Sequence, residues 1–284
     1  MICLARQLNA SIALTCRTLG VARSWFYYHR RPRRPRPLRR TQLTAAIQQV
    51  LTQCPPSYGY RRIHALLARV GIRCNRKTVY QHLKRQAWLA SHRHRTQRPG
   101  RRHEGKVAVL QSNRRWACDI TTLKLWNGQK IRLAVIIDCS DRMILAWKLQ
   151  TRLTAQDVCE LLREALFHRF ARQTQQAKGL EFLTDNGPEF IADQLQQLLT
   201  RLGMIACHTP CRSHQSNGLV ESFFGSFKRD YLSHQPLENL DDAMKLIPAW
   251  ITHYNEVAPH SALAMSAPTT FYQLSLTESH TLTT

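Results

Sequence analysis

Three acidic residues stand where a carboxylate could do chemistry. Asp119 lies among apolar neighbours in WACDIT, where an ionised side chain is costly without a partner. Asp185 follows the apolar run LEFLT, and Glu221 lies in SNGLVES. Brought together, these carboxylates would form an all-oxygen site of the kind that Mg²⁺ or Mn²⁺ prefers. Two such ions about 4 Å apart can hold the attacking and leaving oxygens of a phosphodiester.

The predicted elements are those that would bring the three acids together. Asp119 lies within the first strand, and Asp185 ends a strand, where ligands of α/β sheets gather. Glu221 lies on a helix that Asn217 can cap and whose Gly218 would let the first turn approach the sheet. The order β-β-β-α-β-α-β-α predicts an α/β, ribonuclease-H-like fold, with a mixed five-stranded sheet and flanking helices.

Asp138 competes with Asp119 for the role of first-strand ligand. Asn127-Gly128 predicts a two-residue hairpin turn, which would pair residue 119 with residue 136. In that register Asp138 would point to the same face as Asp119, one diagonal step away. It could then be a supporting acid or a substitute ligand, although capping of the turn with Ser140 is the preferred interpretation.

Other polar residues near the three acids have less specific interpretations. Lys228 follows Glu221 by seven residues, two turns along the same helix face, and is predicted to meet a DNA phosphate. A solvated lysine is the alternative. Asp141 and Glu189 are interpreted as turn and loop residues.

The positive charge is concentrated in one half of the chain. Residues 1–115 contain 26 Lys and Arg, of which 23 are Arg, against the single acid Glu104. Residues 116–284 contain 15 Lys and Arg against 17 acids. Because Arg and Lys contacts to phosphate supply most non-specific affinity for nucleic acid, this split predicts a DNA-binding N-terminal half.

Two helical pairs punctuated by glycine occur in this basic half. Gly20 separates two short helical patterns, and Gly71 ends the stripe that begins at Ile63. Asn75 is predicted to cap a recognition helix at residues 76–87. The predicted DNA-binding residues are Arg61, Arg62, Arg76, Lys77, Gln81, Lys84 and Arg85, together with Lys228.

These patterns divide the chain into six segments. They are a helix-turn-helix-like segment (1–29), an Arg/Pro arm (30–40), an all-α helix-turn-helix domain (41–90), a basic linker (91–110), the catalytic core (111–235) and its C-terminal helix and tail (236–284). The arm contains seven Arg among its prolines and is expected to be extended.

Several classes of protein are disfavoured. Nine Cys without a C-x-x-C pair argue against a disulfide framework and a zinc ribbon, and Cys207, His208, Cys211 and His214 match no zinc spacing. Apolar runs such as 133–137 are too short to span a bilayer, and the N-terminus does not have the pattern of a signal peptide. A cytoplasmic protein is expected.

At these residues the sequence resembles a known family. WACDIT, LTDNGPEF and HQSNGLVESFFGSFKRDY resemble the three catalytic blocks of D-D-E transposases and retroviral-type integrases. HYNEVAPHSALAMSAPTTF, SYGYRRIHALL and NRKTVYQHLKR resemble blocks of the OrfB transposase subunit of the IS-three family, especially its IS-two-like branch. The resemblance covers roughly residues 10–275.

The resemblance implies a DNA transposase that cuts and joins strands at insertion-sequence ends. By it, Asp119, Asp185 and Glu221 are the catalytic and metal-binding triad for two Mg²⁺ or Mn²⁺ ions, and Lys228 is the basic residue that follows. It also implies DNA ends and target DNA as partners, a homo-oligomer on DNA, fusion to an upstream OrfA, and a bacterial, nucleoid-associated location. Sustained heptads are lacking, so the chain resembles OrfB alone.

Two other functions are compatible with parts of the pattern. A ribonuclease-H-type nuclease would need the same carboxylates but not so basic an N-terminal half. A DNA-binding repressor of the element would need the basic half but not the carboxylates.

Overall fold

Five strands form one mixed sheet in the order β3-β2-β1-β4-β5 in the computed structural model. They are β1 (Arg115–Lys124), β2 (Lys130–Asp138), β3 (Ile144–Gln150), β4 (Glu181–Thr184) and β5 (Ile205–His208). The first three are antiparallel neighbours, whereas β4 pairs parallel with β1 and β5 parallel with β4. This is the ribonuclease-H-like arrangement that the element order predicts.

The structure describes residues 11–30, 40–90, 109–209 and 218–281. Their helices are α1 (Ile12–Thr18), α2 (Arg23–Arg30), α3 (Arg40–Thr52), α4 (Tyr60–Arg69), α5 (Arg76–Arg85), α6 (Ala155–Phe170), α7 (Pro188–Ile191), α8 (Asp193–Arg201), α9 (Gly218–Phe227), α10 (Leu240–Glu256) and α11 (Pro268–Thr281). A π-helical turn, Lys228–Leu232, continues α9. Within these residues, no helix has the length and apolarity needed to cross a membrane.

The sheet separates two hydrophobic layers because strand side chains alternate between its faces. Trp116 and Cys118 of β1 face the layer that contains α6, where Trp116 stacks on Phe170 at 5.7 Å between ring centroids. Ala117 and Leu123 face the opposite layer, which contains α9 and α10. Odd-numbered residues of β1, including Asp119, therefore share a face with α9.

The β1–β2 hairpin differs from its prediction by one residue. Lys124 pairs with Lys130, so five residues connect the strands, and Asp119 lies opposite Val135 instead of residue 136. Gly128 has φ +85° within this longer loop. A slip of one residue moves every side chain of β2 to the other face of the sheet.

Local capping explains where several helices begin. Thr154 and Asp157 form a reciprocal capping box at the start of α6. Asn75 accepts a hydrogen bond from the backbone N–H of Lys77 at the start of α5, as predicted. Gly218 does not have its expected role, because a Cβ at this position would meet no atom of the described residues within 4 Å.

The chain divides into two compact units, residues 1–45 and 46–284. In the first, α1 and α2 are joined through Gly20 at φ +64°, in agreement with a helical pair. In the second, α4 and α5 belong to the same unit as the sheet. The predicted arm at 31–39, most of the linker (91–108) and Asn217 lie outside the described residues.

Candidate active site

Asp119 and Asp185 lie side by side on neighbouring strands. β1 and β4 run parallel, with Ala117 opposite Leu183. Asp119 lies two residues beyond Ala117, and Asp185 lies two residues beyond Leu183. The same register therefore places the two acids next to each other. Adjacent strands are about 4.8 Å apart, which brings the two carboxylates within reach of one ligand.

Glu221 approaches this pair from the overlying helix. It lies in the first turn of α9, where Val220, Phe223 and Phe224 are buried against the sheet and Glu221 itself is exposed. Its negative charge and that of Asp185 both act on Asp119. The three predicted acids therefore converge on one face of the sheet.

The electrostatics of Asp119 reflect this convergence. Burial and the charges of Asp185 and Glu221 together raise the pKa of Asp119 to about 6, against the opposing effects of the Ile120 N–H and Lys228. The Ile120 N–H donates to Asp119 Oδ1 at 2.7 Å. Negative charge thus accumulates at Asp119. Among the groups that act on its pKa, one is a cation, which offsets part of this charge.

That cation is Lys228, the first residue of the π-helical turn. Its Nζ donates to Thr121 Oγ1 at 2.8 Å, two residues beyond Asp119 on β1. Burial lowers the pKa of Lys228, while the charge of Asp119 opposes this change. Lys228 therefore faces the carboxylate site instead of projecting into solvent. Sequence reasoning did not single out Thr121, although its i+2 position from Asp119 on a strand was a usable signal.

The loop after β4 brings a fourth acid close to Asp185. The Gly187 N–H donates to Asp185 Oδ1 at 2.9 Å. A Cβ at Gly187 would lie 3.1 Å from Asp185 Oδ1 and 3.1 Å from Glu189 Oε2, so glycine lets both carboxylates approach the loop. Glu189, interpreted as a loop residue, lies in α7 and is neutralised by an ion pair with Arg132.

The donor set fits a hard divalent cation. All three side chains offer carboxylate oxygens, which suit Mg²⁺ or Mn²⁺. The mutual repulsion that raises the pKa of Asp119 is the kind of strain that a bound cation relieves. Across the described ranges, no three His, Cys, Asp or Glu side chains are already gathered tightly enough to form a metal site.

Asp138 lies on the opposite face from Asp119, which corrects the predicted diagonal contact. It pairs with Trp116, and the Trp116 indole N–H donates to its Oδ2 at 3.1 Å in the α6 layer. The error follows from the hairpin register. The preferred interpretation is confirmed, since the Ser140 N–H donates to Asp138 Oδ1 at 2.8 Å.

A substitution at Asp138 separates its structural role from a ligand role. We expect Asp138→Asn to retain at least about a tenth of the activity, because Asp138 lies on the face of the sheet away from Asp119. Its loss should therefore cost less than the roughly 10- to 100-fold that is typical of residues bonded to a metal ligand. Strand-joining rates of the purified, folded variant check this. Activity as low as that of Asp119→Asn would reassign the first-strand ligand.

The face of α5 opposite its buried residues presents the predicted DNA-binding side chains. Val79 and Leu83 are buried. The exposed residues are Arg76, Lys77, Gln81, Lys84 and Arg85. Arg61 on α4 is also exposed, and it lines one open cavity with Arg76, Lys77 and the rings of Tyr60 and Tyr80.

Arg62 has a different environment from the other predicted DNA-binding residues. Its Nη1 donates to Asp230 Oδ2 at 2.6 Å, and its guanidinium lies 4.6 Å from the Tyr58 ring centre. Burial opposes its charge, but the Asp230 carboxylate raises its pKa above the ordinary value. The predicted DNA contact by Arg62 stays a prediction, and within the described residues its charge is directed into the protein.

The Cys and His group after β5 is only partly described. The His208 ring hydrogen-bonds Thr184 Oγ1 at 3.1 Å, and Cys207 is a half-buried free thiol. Cys211 and His214 lie outside the described residues.

Comparison with known families identifies both halves of the second unit. Residues 110–214 and 203–268 match models of the integrase core domain, and residues 38–96 match a model of an HTH-like domain. The integrase core matches include the five strands and α9, and the HTH-like match includes α4 and α5.

Two similar sequences belong to insertion elements. One is the uncharacterized protein of insertion element IS136 from Agrobacterium fabrum, 41% identical over 63% of this chain and 92% of the relative. The other is transposase InsD of insertion element IS2 from Escherichia coli, 35% identical over 83% of this chain and 80% of the relative.

A more distant likeness exists among solved structures. An intasome of simian T-cell lymphotropic virus is 20% identical, with a TM-score of 0.48 over 80% of this chain and 73% of that chain.

Proposed function

The chain belongs to the family of insertion-element transposases that combine an HTH-like domain with an integrase core domain, and we propose that Asp119, Asp185 and Glu221 are its catalytic residues. The protein is a polynucleotidyl transferase. In our proposal it is the OrfB subunit of an IS-three family element with a D-D-E active site. It would act on the element's ends and on target DNA.

One observation carries this assignment. Two acids on adjacent parallel strands and one on the overlying helix converge, and the pKa of Asp119 is raised by burial and by the charges of the other two. A purely structural acid would be paired, as Asp138 is with Arg169. The excess of negative charge in this arrangement suits a bound cation.

The proposed reaction has two balanced steps. Water attacks a phosphorus at the element's end, the bond from that phosphorus to the 3′ oxygen breaks, and this oxygen takes up a proton, so the products are a 3′-OH and a 5′-phosphate. That 3′-OH then attacks a second phosphodiester and loses its proton, while the 3′ oxygen of the attacked strand leaves and takes up a proton, so one ester forms as another breaks. Because the number of esters is unchanged in the second step, joining needs no external energy source.

The residues of this chain would position and neutralise the reacting groups. Asp119, Asp185 and Glu221 would hold one or two Mg²⁺ or Mn²⁺ ions, which when bound neutralise charge on the phosphoryl oxygens and activate the nucleophile. Lys228, fixed by Thr121 Oγ1, would place its ammonium beside a DNA phosphate. Phosphoryl transfer depends mainly on this positioning and charge neutralisation.

The helical pair α4–α5 would bind the DNA. Its exposed cations would hold phosphates, and Gln81 would reach base edges. We further propose that OrfA and additional copies of this chain join the complex on DNA.

We expect Arg76→Gln combined with Lys77→Gln to weaken binding to all DNA sequences alike. Each lost phosphate contact should reduce the slope of log affinity against log salt by about 1. Titration of the full chain with end DNA and random DNA at several salt concentrations measures both effects. A matched control is Lys148→Gln, because Lys148 is already paired with Asp157 and Glu160. An unchanged salt slope in the double variant would exclude these residues from the DNA contact.

The function itself is tested with labelled DNA that carries the element's end. We expect the full chain, supplied with OrfA or fused to it, to nick and join strands in Mg²⁺ and to bind without cleavage in Ca²⁺. Cleavage of RNA–DNA hybrids instead would indicate a ribonuclease-H-type nuclease. Specific binding without any cleavage in Mg²⁺ would indicate a regulator.

A further inference from the structure

A buried acid lies just beyond the helix that carries Glu221. Asp230 belongs to the π-helical turn Lys228–Leu232 and is 5% exposed. Its carboxylate accepts hydrogen bonds from Ser57 Oγ at 2.7 Å and from Arg62 Nη1 at 2.6 Å. Both donors come from the SYGYRR segment that leads into α4, more than 160 positions away in sequence. Asp230 therefore joins the DNA-binding helices to the catalytic helix.

The charge on Asp230 is maintained despite its burial. Burial alone would raise the pKa of this carboxyl, but bonds from Arg229, Arg62 and Ser57 hold the pKa below its ordinary value. A hydrogen-bonded ion pair of this kind has a defined geometry, since each carboxylate oxygen has its own donors.

A second contact fixes the other end of α4. Arg69 in its last turn donates to the backbone oxygens of Val257 at 2.5 Å and Met265 at 2.9 Å, beyond the end of α10. Just before α4, Tyr58 is 2% exposed, and its ring centroid lies 6.2 Å from that of His253. The orientation of α4 on the core is therefore set at both ends.

From Asp230 the contacts continue to the carboxylate site. Lys228, two residues earlier in the same turn, donates to Thr121 beside Asp119. Tyr231, the residue after Asp230, hydrogen-bonds the His253 ring at 2.8 Å and stacks on Trp250. The turn is thus fixed on both sides, and a displacement of Asp230 would also displace Lys228.

We propose that the Arg62–Asp230 ion pair is a positioning contact. It fixes the carboxylate site relative to α4–α5, and it thereby sets which phosphodiester is cut in the DNA that α4–α5 holds. The proposal rests on the function proposed above. Phosphate contacts fix the register of a protein on DNA but do no chemistry. A rigid connection from those contacts to Glu221 and Lys228 converts that register into a cleavage position. Misplacement by about 1 Å can cost 10²-fold in rate.

This role makes different predictions from the two alternatives. If Arg62 were a DNA contact, its loss would weaken binding and reduce the salt slope. If the pair only stabilised the fold, its loss would lower the unfolding temperature without changing where the DNA is cut.

The cleavage test uses Asp230→Asn and Arg62→Met in the full chain, supplied with OrfA as in the test of the proposed function, with end-labelled element DNA and Mg²⁺. We expect DNA affinity and salt slope close to wild type, a rate reduced by roughly 10- to 100-fold, and cuts spread over neighbouring phosphates. Arg229→Gln is the matched control, because it removes a bond to the same carboxylate from an exposed neighbour. It should leave the cut at a single position. Wild-type cutting positions in both pair variants, or losses of rate that follow losses of affinity, would overturn the proposal.

A second measurement does not depend on activity. Amide hydrogen exchange of the free protein should accelerate in both 60–69 and 218–232 in either pair variant, because each residue anchors the other's element. Faster exchange confined to the segment that contains the substituted residue would overturn the coupling. A wild-type chain that never cleaves end DNA in Mg²⁺, even when supplied with OrfA or fused to it, would refute the proposed function, whereas this exchange pattern would still decide the coupling.

Discussion

Asp119→Asn, Asp185→Asn and Glu221→Gln are each expected to abolish strand cleavage and joining while DNA binding stays nearly intact. Each substitution keeps the shape of the side chain but removes a charge from the converging carboxylates. Loss of one electrostatic group at an active site typically costs 10² to 10³ in rate, and loss of a metal ligand is expected to reach about 10³ or more. Single-turnover cleavage of end DNA, with binding measured in parallel, gives both quantities.

A matched acid elsewhere controls for the change in charge. Asp193 is exposed in the first turn of α8, so Asp193→Asn should cleave and join at the wild-type rate. Wild-type joining by any one of the three site variants would remove that residue from the catalytic set.

Arg169→Met is expected to destabilise the fold by roughly 3–5 kcal/mol, because it leaves buried carboxylates without their cation. Arg169 is 1% exposed at its side chain and bonds Asp141 Oδ2 at 3.0 Å, with Asp138 at 3.9 Å. Its guanidinium also lies 3.9 Å from the Tyr272 ring centre on α11. Urea unfolding of wild type and variant measures the difference in free energy.

The deficit should depend on pH in a defined direction. Burial and the charge of Asp141 already raise the pKa of Asp138, and loss of Arg169 would raise it further. A carboxyl whose pKa is raised by folding makes the fold less stable as pH rises through that pKa. The deficit of Arg169→Met should therefore be smaller at acidic than at alkaline pH. A deficit that is small at every pH would show that Arg169 does not compensate these acids.

The topology and the three converging acids were predictable from sequence because they depend on local patterns. Alternating strands, the order of elements and the Thr154 capping box are short-range features. Asp119 and Asp185 mark strand positions that a parallel pair must bring together. Glu221 was predicted from its place on a helix and from the resemblance of the block around it, without any knowledge of the helix's tilt.

The register of the β1–β2 hairpin was not predictable in the same way. Asn127-Gly128 favours a two-residue turn locally, but the connection has five residues, and backbone N–H groups of Trp126 and Asn127 donate to Leu237 and Glu238. These tertiary contacts decide the loop length. The predicted face of Asp138 depended on that register. The prediction for Asp138 was therefore wrong for the same reason.

Long-range ion pairs were also beyond sequence reasoning. Arg62 was one of many arginines in a basic segment, and its charge suggested DNA. Its partner Asp230 lies 168 positions away, and no local pattern connects the two. The same holds for Arg132 with Glu189, which places a neutralised acid next to Asp185.

Whether the carboxylates hold the metal is tested most directly by changing the ligand's chemistry. Thiolates prefer softer cations than carboxylates do, so Asp185→Cys should be inactive in Mg²⁺ and recover strand cleavage in Mn²⁺. Asp185→Asn should remain inactive in both. The exposed position of Asp185 at the end of β4 makes the cysteine variant tolerable to the fold. Wild-type cleavage by Asp185→Cys in Mg²⁺, or no recovery in Mn²⁺ where the wild type remains active, would contradict a metal-binding role for this residue.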